Sequence, residues 1–228
     1  LNSTGLNLTP VNSLCGKIQF PTDPTDNYPA QPYPECAARG YLKFSVQGNR
    51  MVSFTTSDCH NFQSYPELFS FNKTSGSVTY DYLINTQDTT IYYGGSFSPN
   101  GNLLYASSAW YGRHIHQFDL TSNNSTTIAA TRYTVYADPT FTAPYQTHAL
   151  QIGHNGKMYC AANNNYLHVI SNPNIYGAGC NFQLMGQPLG TCGLANSAVG
   201  LPNNDESLYS TSFVGTTCSS VSNTNFTT

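Results

Sequence analysis

One hairpin is written three times in this chain, and nothing else in the sequence restricts the fold as much. Each copy has an apolar residue, a short polar turn closed by glycine, and an alternating apolar strand. The copies are Phe44-Ser45-Val46-Gln47-Gly48-Asn49-Arg50-Met51-Val52, Phe97-Ser98-Pro99-Asn100-Gly101-Asn102-Leu103-Leu104-Tyr105, and Ile152-Gly153-His154-Asn155-Gly156-Lys157-Met158-Tyr159, the last one residue shorter. A tight turn of this kind demands positive φ, which glycine alone adopts freely. The turn glycines stand 53 and 55 residues apart, slightly above the roughly 40 to 50 of familiar blade repeats. Behind each hairpin comes a further strand of matching pattern: Leu68-Phe69-Ser70-Phe71-Asn72, Ile115-His116-Gln117-Phe118-Asp119 and Leu167-His168-Val169-Ile170-Ser171. Four short strands per repeat, with no helical periodicity between them, predict an all-β chain of about three four-stranded β-propeller blades, at 40–85, 94–134 and 147–185.

Three blades do not close a ring, because propellers typically have about 4 to 8. Residues 1–39 are rich in proline and read as a flanking strand and loop. Residues 40–205 hold the blades, and 206–228 read as an outer strand and a linker to a following module. The chain opens on Leu1 and ends in a polar run, which suggests a part of something longer. The expected partners are therefore the remaining blades, from the same precursor or from another chain.

Charged residues make up 8% of the 228 and leave a formal net charge of −3, against roughly 25% charged in an ordinary soluble domain. A basic nucleic-acid footprint is excluded, so no nucleic-acid partner is expected. Asn, Ser and Thr supply about a third of the chain; they compete with helical backbone bonds and suit turns and strand surfaces. No run approaches the roughly 18 apolar residues of a membrane helix, so no membrane insertion is expected. Seven cysteines without a CxxC pair fit an oxidising, extracellular setting better than a metal ribbon. Cys15 with Cys36 and Cys180 with Cys192 are spaced to close local loops, leaving at least one odd thiol.

Candidates for chemistry are sparse. His114-Ile115-His116 puts two imidazoles on one strand face, about 7 Å apart by strand rise, and a third ligand would complete a metal site. His116 and His168, however, fall at the repeat position of Phe69 and read as half-buried strand residues, so no metal and no cofactor is expected. With eight Asp and three Glu, carboxylates for acid–base work are few, and Asp205-Glu206 reads as a polar loop. Cys59-His60 would point to opposite faces of a strand, and a G-x-S-x-G elbow is absent. Binding is the better-supported alternative. Trp110, Tyr111 and Arg113 sit in an evident turn, and Tyr133 and Tyr136 in a presumed loop over 131–147; together they offer a surface for a protein or glycan ligand.

The order Phe97-Ser98-Pro99-Asn100-Gly101, Gln117-Phe118-Asp119-Leu120, Asn155-Gly156-Lys157-Met158-Tyr159, Asn172-Pro173-Asn174 and Gly200-Leu201-Pro202-Asn203 resembles the WD40-like propellers of very large surface proteins of gliding, type IX-secreting bacteria. Val46-Gln47 and His154 depart from that pattern. The resemblance implies a secreted, non-catalytic module at the cell surface, acting in adhesion, surface motility or extracellular assembly. Asp88-Thr89-Thr90 is similar to the short acidic motif that such bacteria glycosylate, which assigns a glycan to Thr89. Two alternatives stay open: a lactonase-like propeller hydrolase, whose blades carry a similar Ser-Pro-Asn-Gly hairpin and whose site would need His, Glu or Arg converging at the channel, and a purely structural filament subunit.

Overall fold

The computed structural model describes residues 11–13, 40–55, 65–87, 90–108, 113–138, 146–190, 200–201 and 206. The described strands form three four-stranded antiparallel sheets, each a simple meander in chain order. The first holds β1 (Gly40–Phe44), β2 (Arg50–Thr55), β3 (Glu67–Phe71) and β4 (Val78–Leu83); the second holds β5 (Tyr92–Phe97), β6 (Leu103–Ser108), β7 (His114–Asp119) and β8 (Tyr133–Ala137). The third holds β9 (Leu150–Ile152), β10 (Met158–Ala161), β11 (Tyr166–Ile170) and β12 (Phe182–Pro188). β1 packs on β5 and β5 on β9, so the first strand of every sheet lies innermost. Three blades of a β-propeller, stacked as an arc, result.

The repeated hairpins fold alike at atomic level. Gly48, Gly101 and Gly156 adopt φ of 65°, 75° and 73°. In each, the glycine N–H donates to the residue three back: Ser45 O at 2.7 Å, Ser98 O at 2.8 Å and Gly153 O at 2.9 Å. The strand bond below the turn runs from Ser45 to Arg50 and from Ser98 to Leu103, but from Gly153 to Lys157. The third copy thus omits the residue that follows glycine in the other two.

Burial follows from stacking. The middle blade is covered on both faces, so β6 is buried at all six positions and loses the alternation of a half-exposed strand. Leu104 and Ala106 join Phe54, Leu68, Tyr92, Phe97 and Phe118 in the core against the first blade. Leu103 and Tyr105 join Ile115, Leu150, Met158 and Ile170 in the core against the third. Gly95 sits where the blades approach closest: a Cβ there would overlap the Phe54 ring and the Tyr105 carbonyl.

Two details depart from the sequence reading. A one-turn helix, α1 (Ser125–Ala130), links β7 to β8, where no helix is expected. Asn124 starts it by accepting from the Thr127 N–H at 2.9 Å, and Ile128 anchors it in the core. Tyr133 and Tyr136 belong to β8 and not to a long loop. Tyr136 stacks on Phe182 with ring centroids 4.9 Å apart, and Tyr133 meets Tyr176 at a tilt with centroids 5.9 Å apart, so these aromatics pack the outer strand on the third blade.

Candidate active site

Four histidines form two pairs, His114 with His116 on β7 and His148, just ahead of β9, with His168 on β11, and Arg113 acts electrostatically on His148. His114 and His116 lie one residue apart on β7, and their rings stack with centroids 5.2 Å apart. The His116 Nδ1 is 2.8 Å from the Tyr92 hydroxyl. His168 on β11 is fully buried and uses both nitrogens: Nε2 donates to the Gln146 carbonyl at 3.0 Å, and Nδ1 accepts from the Met185 N–H at 3.0 Å. His116 and His168 are thus deeper than the half-buried positions predicted for them. Burial holds His168 below the usual imidazole range, against the opposing hydrogen bond to Gln146. Among the described residues no group of three His, Cys, Asp or Glu is placed to hold a metal ion.

His148 differs from the others. It stands just ahead of β9 and is 3% exposed. Its Nε2 lies 2.9 Å from Gln146 Oε1, which also accepts from Asn163 Nδ2 at 3.0 Å. An amide oxygen can only accept, so the His148 proton sits on Nε2 and Nδ1 carries a bare lone pair. That buried Nδ1 has no hydrogen-bond partner among the described residues. Burial first, then the charge of Arg113 and the His168 ring, lower its pKa from 6.5 to about 4. Tyr93 meets the ring edge-on at 6.0 Å, and Tyr41 of the first blade meets Tyr93 at 5.3 Å. Arg113, at φ 41°, is held by Asp138 at 3.2 Å with both side chains largely buried. The group therefore presents a neutral proton acceptor beside a fixed cation.

Of the residues expected to bind a ligand, Arg113 joins this group, while Tyr133 and Tyr136 pack between blades. Trp110, Tyr111, Thr89, Cys15, Cys36 and Cys192 lie outside the described residues. Cys180 is a buried free thiol. His148, Gln146 and Asp138 stand in no pattern along the chain that sets them apart from their neighbours. Glu206, expected in a polar loop, is buried.

No protein-family model matches the chain, and no curated protein does. Among solved structures it is similar to a provisionally named 6-phosphogluconolactonase of Bacteroides uniformis (20% identity, TM-score 0.43, covering 65% of this chain and 41% of that one). A second, from Bacteroides fragilis and named in the same way, shares 16% identity with TM-score 0.43, covering 68% and 41%. A periplasmic gluconolactonase of Pseudomonas aeruginosa shares 12% identity with TM-score 0.40, covering 57% and 38%. The chain spans about two fifths of the length of these structures. The sequence resemblance holds as far as the propeller and gains nothing for the type IX surface proteins. The reading of a non-catalytic adhesion module is corrected: the three structures just named carry lactonase names of their own. Among the described residues no helix is long and apolar enough to cross a membrane.

Proposed function

We propose that this chain is part of a lactonase-like propeller hydrolase, with His148 as proton acceptor and Arg113 as the group that steadies negative charge on the substrate. The observation that carries this is the buried, unpartnered Nδ1 of a neutral His148. Hydrolysis of a cyclic ester needs a base that takes a proton from water and a cation near the carbonyl oxygen as it becomes anionic. A ring held at about pKa 4 is a weak base, but it stays unprotonated through the neutral range. Gln146 fixes its tautomer and orientation, and Asp138 fixes the guanidinium. Tyr41 and Tyr93 supply apolar walls from the two other blades.

Leu42 and Phe44 remain 53% and 37% exposed on the side of β1 turned from the second blade. The remaining blades, from the same polypeptide or another chain, would stack there. Low charge and scattered cysteines support an exported protein. The test is hydrolysis of an aldonolactone by the full polypeptide. Replacement His148→Gln is expected to lower kcat by about 10² or more with an unchanged melting temperature. The acid limb of the wild-type rate profile is expected near pH 4. No lactone turnover above the uncatalysed rate, or a His148→Gln rate equal to wild type, would refute the assignment.

A further inference from the structure

The hairpin ends of the three innermost strands carry a second polar cluster that the histidine group does not use. Lys43, Ser96 and Gln151 occupy the same place in the repeat, each one residue before the apolar residue that enters the turn. All three are buried. One side chain, Glu206, meets a donor from every blade. Lys43 Nζ reaches its Oε1 at 3.4 Å, Ser96 Oγ donates to Oε2 at 3.1 Å, and the Ile152 N–H donates to Oε1 at 3.4 Å. Glu206 is 2% exposed and Lys43 5%. Lys43 also stands 6.0 Å from the centroid of the Tyr41 ring.

An ammonium, a hydroxyl and a backbone N–H converging on one point make a receptor for a carboxylate. A buried lysine is tolerable only with its counter-charge in place. Because the donors come from three different blades, the carboxylate ties the innermost strands together at the end of the arc opposite His148. It can do so only while the blades keep their stacking. Burial raises the Glu206 pKa, with Lys43, Ser96 and Ile152 working against it; the receptor thus competes directly with desolvation.

We propose that the hub of this arc is a carboxylate-binding site in its own right, occupied by Glu206 as an internal ligand, and that a small carboxylate from solution takes the place of that side chain when it is removed. The truncation Glu206→Ala empties the receptor and leaves Lys43 buried without a partner. Formate, titrated against chloride at equal ionic strength, is expected to raise the Tm of Glu206→Ala saturably, by about 5 °C at saturation. Wild type and the double variant Glu206→Ala/Lys43→Met are expected not to respond. If Glu206→Ala does not fold in chloride, recovery of the native circular dichroism spectrum in formate is the readout, and Glu206→Gln, which keeps the shape without the charge, is expected to show no formate effect. A folded Glu206→Ala indifferent to formate, an unfolded one that formate does not recover, or an equal response without Lys43 would overturn the proposal.

Discussion

At the scale of single residues, two buried ionisable groups act on stability in opposite senses. The folded protein holds His148 at about 4 where an exposed ring has 6.5. The unfolded chain therefore takes up its proton first. The stabilisation tied to the neutral ring is complete above about pH 6.5 and is lost as pH falls toward about 4, a change on the order of 3 kcal/mol. In proton NMR the His148 Cε1–H resonance is expected to hold its position between pH 8 and 5.5 and to move only nearer pH 4. Denaturation of His148→Gln is expected to show a shallower loss of stability over that interval than wild type. Glu206, whose pKa burial raises, contributes the reverse: stability present below its ordinary value of 4.5 and lost as pH rises through its raised one.

At the scale of elements, the turns are set by local chemistry and the helix by its cap. The three glycine turns repeat one backbone pattern because their left-handed residue is glycine in each copy. The six residues of α1 are too few to persist alone. They hold through Asn124 at one end, through the Thr131 hydroxyl on the Ile128 carbonyl at 2.7 Å at the other, and through Ile128 beneath. Replacement Asn124→Ala is expected to destabilise the protein by about 1 kcal/mol. Urea denaturation checks this; a midpoint equal to wild type would show that packing of Ile128 alone fixes the turn.

At the scale of the whole molecule, blades adhere through apolar area and through buried polar groups, among them the amide of Gln117. Gln117 of the second blade donates to Tyr105 Oη at 2.6 Å and to the Ile175 carbonyl at 2.9 Å, and accepts from the Gly177 N–H at 2.7 Å. Tyr105 in turn donates to the Pro173 carbonyl at 3.0 Å. The Gln117 amide thereby holds Tyr105 within its own blade and, through both Nε2 and Oε1, joins the second blade to the third. Gln117→Leu keeps a comparable volume but strands the Gly177 N–H and the Ile175 carbonyl. It is expected to cost about 2–4 kcal/mol, read by thermal denaturation, whereas a substitution at exposed His154 is expected to fall within about 0.5 kcal/mol.

The propeller was legible because its information is local and periodic. A glycine that must sit at positive φ, and apolar residues at strand spacing, recur in the sequence whether or not the chain is folded. Gln117 was visible too, as part of a repeated strand signature, although its bonds were not. The candidate sites were not legible. His148, Arg113 and Asp138 meet across chain separations that no local pattern encodes, and Glu206 lies 163 positions from Lys43. Residue types determined which blades form; only stacking decided which polar groups lost their water, and desolvation is what turns an ordinary histidine or glutamate into a site.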